Sequence, residues 1–489
     1  MIFRRITLAL ALAGVAALTV AMVASANVAL TQVSADPFTN SSSQHATELE
    51  PDTFAWGSTV VAAFQVGRFF NGGASDIGFV RSGDGGATWD APGFLPGMTF
   101  TAGAASSPFE RVSDPSVAYD SAHGAWLISS IPLTPTTSVP TVFVNRSTDD
   151  GRTWSNPISI PPPVSHRVDL DKNWTACDNH AASPFFGHCY TELDNFGDGD
   201  RELMSTSTDG GLTWGTPIET AGHDKGLGGQ PVVQPSGRVV VPFESLKGTI
   251  SSFSSNDGGA SWTKAVMVSR IRFHGVAGNL RTSPLPSAEI AADGTVYVAW
   301  EDCRFRKGCT SNDIVFSTST DGVSWTDAAR VPIDDVTSSA DHFIPGLAVD
   351  PATSGAGTHL ALTYYFYPDA TCAGGCQLDV GYISSPDGGA HWGAPTQLAG
   401  SMTLDQIAQT SQGPMVGDYI STSFSGGLAT TVFAVGKPAT TAAFDEAMYA
   451  PTSRLSVATA AQAVNSSSSA GVVVTGVGTG EAIRALKNN

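Results

Sequence analysis

Charge is scarce in this sequence, and positive charge is scarcer still. Only 14% of the residues are charged, and 25 basic side chains face 44 acidic ones, a formal net charge of -19. Such a chain has no general field for a polyanion, which excludes nucleic acid as a partner. Apolar runs long enough to span a bilayer are missing after the first 26 residues, so no membrane association is expected of the mature chain. The one such run opens with Arg4 and Arg5, continues from Ile6 to Val23 and ends at Ala24-Ser25-Ala26. That order predicts a signal peptide over residues 1–26 and an exported protein.

Cysteine is also sparse. The six cysteines fall into close pairs, Cys177/Cys189, Cys303/Cys309 and Cys372/Cys376. They lack a repeated CxxC, and no histidine stands at finger spacing, which argues against zinc and for disulfides in an oxidising compartment. The acidic stretch Asp194–Asp200 misses the spacing of a calcium loop and reads as a polar turn. No metal and no cofactor is expected.

What the sequence has in quantity is Gly, Ser, Thr and Pro, a composition for short strands and many turns. A pattern then repeats within it: Ser-x-Asp-x-Gly-x-Thr-Trp. It occurs at Ser82–Trp89, Ser147–Trp154 and Ser207–Trp214. Ser255–Trp262 carries Ser for Thr, Ser319–Trp325 is one residue short, and Ser385–Trp392 carries His for Thr. The tryptophans stand 65, 60, 48, 63 and 67 residues apart. Repetition at this period marks an array of supersecondary units. An Asp can accept the amides of its own turn, Gly permits the positive φ of a tight hairpin, and Trp buries a large apolar surface beside it. The six aspartates are therefore read as structural.

This motif resembles the Asp box, or BNR repeat, of the sialidase-like superfamily, over most of residues 48–400. The resemblance implies an all-β fold, a β-propeller of four-stranded blades in which each box joins the third and fourth strands. A third strand precedes every box, at 77–81, 142–146, 202–206, 250–254, 314–318 and 380–384. A further strand pair follows the last box, at Met415–Phe424 and Ala429–Gly436, with a possible third strand near Glu446–Tyr449. Val28–Ser34 is a lone strand that could complete this last blade. Seven blades are expected, with six as the alternative, in one domain over 27–455. A low-complexity tail over 456–489 is expected to be poorly ordered.

In such a propeller the starts of first strands and the ends of second strands face the channel mouth that carries the site. On that argument Arg68, Asp114, Lys172, Glu301, Arg304, His342, Asp418 and Tyr419 converge on one face. The resemblance implies Tyr419 as nucleophile, Glu289 or Glu301 as its helper and Asp114 as acid/base. Arg304, Arg68, Lys172, His342 and Asp418 are the expected substrate-binding groups. Arg270, Arg272, Arg281, Arg304, Arg306 and Lys307 fall within 38 residues. They form a basic wall suited to an acidic sugar. No arginine occurs between Arg330 and Arg454, so a third carboxylate-clamping arginine is missing from the later blades. The expected partner is an acidic glycan or polysaccharide and the expected state a monomer. A sialidase-like glycoside hydrolase leads, with a binding propeller and a uronate lyase as alternatives.

Peptide mapping of the unreduced protein should recover the three local bridges, and crossed connectivity would refute the pairing. Loss of the Cys177–Cys189 bridge should cost about 2–4 kcal/mol.

Overall fold

A computed structural model describes residues 28–440, 443–459 and 464–465. The expected signal peptide and all but the first few residues of the expected tail lie outside them. The described chain is all-β, with only short 3-10 turns between antiparallel sheets. No helix among the described residues is long and apolar enough to cross a membrane.

One arrangement recurs along the chain. A first strand pairs with a second, the second with a third, and the third with a short fourth after the box. The first strands are Glu48–Trp56, Arg111–Asp120, Leu170–Cys177, Val232–Val233, Ser287–Ile290, Asp341–Val349 and Ser421–Ser425. Single bonds stitch them side by side. Asp52 Oδ2 accepts the Val117 amide at 2.7 Å, and Ser116 Oγ accepts that of Thr175 at 3.0 Å. Gln230 Oε1 takes the Ala288 amide at 2.8 Å, and Ser287 Oγ that of Leu347 at 3.0 Å. Thr422 Oγ1 donates to the Gly346 carbonyl at 2.9 Å. The last first strand returns to the earliest, where Ser421 and Ser423 hydroxyls donate to the Thr53 carbonyl at 3.2 and 3.1 Å. Leu30–Gln32 forms the outer strand of this last sheet, with Leu30 opposite Pro451 and Gln32 opposite Tyr449.

All six boxes fold as their residue types require. In the first, Asp84 Oδ1 accepts the Thr88 amide at 2.8 Å, Oδ2 accepts the Thr88 hydroxyl at 2.6 Å, and Ser82 Oγ accepts the Gly86 amide at 2.8 Å. The shortened fifth box keeps the same scheme around Asp321. The Thr88 bonds hold the Asp84 carboxyl down at about 2. The last glycine of each turn also touches the preceding sheet. A Cβ at Gly211 would lie 2.7 Å from Leu127, and one at Gly86 would lie 2.4 Å from Thr430 of the last sheet. The Trp beside each turn fills the gap between sheets; Trp392 is 1% exposed and Trp214 7%.

One expectation needs correction. Met415–Phe424 is not one strand: Gly413–Met415 pairs with Ala408–Thr410, and pairing with the next strand begins only at Ser421. The break is at Gly417, at φ 137°, where a Cβ would come within 2.8 Å of the Glu50 Cα. Leu455–Ser456 pairs with Leu428–Ala429, and Val464–Asn465 with His391–Trp392.

The three expected disulfides are formed. Cys177–Cys189 ties a first strand to its second across a 12-residue separation. Cys303–Cys309 and Cys372–Cys376 do something different: they join no two strands, but close short loops of 6 and 4 residues' separation that follow second strands. Cys309 and Cys376, at the far ends of those loops, are half-buried, whereas Cys189 and Cys303 are fully buried. Replacement of Trp214 by Ala should destabilise the fold by about 3–5 kcal/mol, as for other buried aromatics. Chemical denaturation checks this, and a loss below about 1 kcal/mol would show that the box tryptophan is not a packing residue.

Candidate functional site

The site is built on a backbone device that recurs in the first strands. Glu50, Asp114 and Lys172 have φ of 59°, 52° and 46°, and each sits at a register shift against its second strand. Positive φ is rare for such residues and is retained where the surroundings over-determine it. Each bulge turns its side chain out of the regular alternation of the strand. The three side chains meet at the centre, where Asp418 arrives from the interrupted strand of the last sheet.

There they form a buried ion cluster. Lys172 Nζ lies 2.5 Å from Asp418 Oδ2, 3.4 Å from Asp114 Oδ2 and 3.7 Å from Glu50 Oε1. Arg281 grips Asp418 with two bonds, Nε to Oδ1 at 2.7 Å and Nη2 to Oδ2 at 2.5 Å. Gln65 donates to Glu50 and accepts from Arg68 Nη1 at 2.9 Å. All these groups except Arg281 are under 6% exposed. Burial opposes charge on Asp418, but Arg281 and Lys172 hold its carboxyl far below the usual carboxylate range. Burial works against the Lys172 charge too, yet Asp114, Asp418 and Glu50 keep its pKa well above that of an ordinary lysine. Glu50 is pushed up to about 7 by burial and by Asp114. Arg68 is brought down to about 10 by burial and by Arg281.

A cavity of about 180 Å³ opens beside this cluster, lined by Arg68, Asp114 and Arg281 among others. Tyr419 does not line this cavity; with Lys172 and Trp174 it lines a second, smaller one. Its ring packs edge-on against Trp174 at 5.1 Å, and its hydroxyl donates to the Pro115 carbonyl at 2.9 Å. Burial, then Glu50 and Asp114, push the phenol well above its ordinary pKa.

Of the expected site residues the structure brings together Arg68, Asp114, Lys172, Asp418 and Tyr419. Four others lie elsewhere. Glu301 is buried and accepts the Ile344 amide at 2.9 Å. Arg304 is clamped by Asp302 two residues before it, at 2.9 and 2.7 Å. His342 is buried against Tyr364 and Phe366. Glu289 is in electrostatic reach of Asp52. The Tyr419 hydroxyl therefore bonds to neither Glu289 nor Glu301. The bridged cysteines, Cys177, Cys189, Cys303, Cys309, Cys372 and Cys376, take no part in the site: none lines the cavity, and all six are spent in disulfides.

Nor do the clustered arginines form an open basic wall: Arg306 is buried between Asp313 and Asp334, each at 2.6 Å, and Arg281 is held by Asp418. Arg281 is the site residue that sequence reasoning left out of the set. It stands in the long connection between Arg270 and Ser287, and only its excess of arginine signalled it. Asp313, Asp334 and His342 could approach a metal together. The guanidinium groups of Arg306 and Arg330 already balance the two carboxylates.

Residues 60–274 match the family model for a BNR repeat-like domain. Over that stretch the chain is similar to a BNR repeat-like domain. No curated protein matches its sequence. Among solved structures, the chain is similar to a protein of unknown function from Dyadobacter fermentans, with 17% identity over 73% of this chain and 99% of that one and a TM-score of 0.46. A Hadza microbial sialidase shares 17% identity over 83% and 66% of the two chains, with a TM-score of 0.43. An ulvan lyase, described as a new family of polysaccharide lyase and solved bound to a GlcA(1-4)Rha3S unit, shares 11% identity over 86% and 95%, with a TM-score of 0.50. That last likeness is one of fold.

Several central carboxyls are protonated more readily in the folded chain than outside it. Burial pushes Glu289 and Glu48 up to about 8 and Asp52 up to about 7. Their contribution to stability is complete below their unfolded values near pH 4 and is lost as pH rises through about 8. The protein should thus melt at a lower temperature near pH 8 than near pH 5. Glu289→Gln should narrow that gap; a gap of unchanged width would place the proton uptake on other groups.

Proposed function

We propose that this chain is an exported, sialidase-like protein that acts on an acidic glycan through the cavity beside the central ion cluster. The observation that carries the reading is the meeting of Arg68, Arg281 and Asp114 at one cavity. Among the described residues the Arg68 side chain hydrogen-bonds to the neutral Gln65, which leaves its guanidinium group donors for a sugar carboxylate. Guanidinium groups suit that ligand through paired, directed donors. Asp114 is the group that would move a proton at the glycosidic oxygen; its Oδ2 makes no hydrogen bond and rests 3.4 Å from Lys172. Tyr419 is the nucleophile of this reading, the role such a residue holds in sialidases. To act it must leave the Pro115 carbonyl and lose its proton to a neighbour such as Glu50.

We infer as well that the sheets close into a seven-bladed propeller. Two contacts support this: the return of Ser421 and Ser423 to Thr53, and the pairing of Leu30–Gln32 in the last sheet. The three disulfides and the apolar leader support export.

A binding protein without turnover is the second reading. The bond between Tyr419 and Pro115 favours it, as does the hold of Asp418 on Arg281. Elimination at a uronate is less well served, since His342 is buried away from the cavity and Lys172 is held protonated.

Mature protein should be incubated with sialosides, uronate polymers and neutral glycans while reducing ends and C=C absorbance are followed. New reducing ends from an acidic glycan alone are expected. Asp114→Asn should then lower kcat by about a hundredfold or more with binding retained. Binding without turnover would leave the second reading, and C=C absorbance would show a lyase.

A further inference from the structure

The cavity is lined by charged and apolar side chains together. Arg68, Asp114 and Arg281 share it with Leu133, Val139 and Leu170, which are 7%, 5% and 3% exposed. Phe196 also lines it and is 42% exposed. Scattered exposed apolar side chains need no explanation. This one differs because it borders the cavity and because its loop is braced.

Asn195 accepts the Asp169 amide at 3.1 Å and donates to the Arg167 carbonyl at 2.9 Å. The Gly197 amide donates to Asp169 at 3.1 Å, that of Gly199 to Phe196 at 3.0 Å, and that of Asp200 to Asn195 at 2.9 Å. At Gly197 a Cβ would sit 3.0 Å from the Arg167 carbonyl, so the backbone there fits closely against its neighbour. The backbone that carries the aromatic ring is thus braced, and it has little freedom of its own left to lose when a ligand arrives.

We propose that Phe196 is a stacking platform for the sugar next to the carboxylated one. The ligand is then an acidic glycan of two or more units, its charged residue in the cavity and its neighbour lying flat on the ring. A sugar presents C–H groups on one face of its ring, which an aromatic face covers while the hydroxyls stay at the edge in water. This inference rests on the reading of the cavity as an acidic-glycan site and adds to it the length of ligand required.

Titration calorimetry with four probes tests it: N-acetylneuraminic acid and 3'-sialyllactose, glucuronic acid and a glucuronate-containing tetrasaccharide. Wild type should bind the longer member of at least one pair about tenfold more tightly than the shorter. Phe196→Ala should abolish that preference and leave the Kd of the single sugar unchanged, and Phe196→Tyr should restore it. Equal affinity for short and long probes in wild type would overturn the platform and leave the cavity reading standing. So would an equal loss for both in Phe196→Ala. If wild type binds none of the four, the acidic-glycan reading falls and the platform with it.

Discussion

Sheet-to-sheet spacing in this protein is set by glycines that leave no room for a side chain. In each box the last glycine of the turn presses on the sheet before it, as Gly151 does on Val61, Gly259 on Tyr190 and Gly322 on Val240. The same contact joins the first box to the last sheet through Gly86 and Thr430. Because packed interiors do not deform continuously, this spacing fixes how near neighbouring first strands come to one another. Their stitching bonds are single and directional, and they form only at that spacing. The central ion cluster depends on the stitching in turn, since Glu50, Asp114, Lys172 and Asp418 come from four different parts of the chain.

The cluster illustrates a balance between burial and pairing. Removing charged groups from water is costly, and the cost is recovered only when every partner is in place. Here three carboxylates meet Lys172 and Arg281, with Arg68 joined to them through Gln65. The three cations match the three acids in number. A carboxylated ligand reaching Arg68 would change that balance, and Glu50, with a pKa of about 7, is the group able to adjust by taking up a proton.

Much of this was legible in the sequence because the box couples a residue pattern to a fixed position in the sheet. The third strands before all six boxes fall where the pattern places them, and Arg68, Asp114, Lys172 and Asp418, all at strand ends of one face, lie near one another. Close spacing was likewise enough to pair Cys303 with Cys309 and Cys372 with Cys376. The face argument failed where a side chain is captured locally. Arg304 is bound by Asp302 beside it, and Glu301 by an amide of the next sheet. Neither contact follows from which end of a strand a residue occupies. The bulges were missed for another reason: positive φ at Glu50 and Asp114 precedes a proline, a setting that does not ordinarily signal such backbone. Arg281 was hidden by lying in a connection, whose path no strand pattern dictates.

The pairing of Leu30–Gln32 with Tyr449–Pro451 makes the front of the described chain and its last third strand a single piece of structure. That arrangement imposes an order in time. As the chain emerges, its earliest strand has no partner until nearly all the rest is present, and its own edges stay bare until then. A cut just after residue 34 would have the same effect in a finished molecule: the sheet at the far end of the sequence would lose its outer strand. The integrity of one end is thus reported by the other, although more than 400 residues separate Leu30 from Pro451 along the chain.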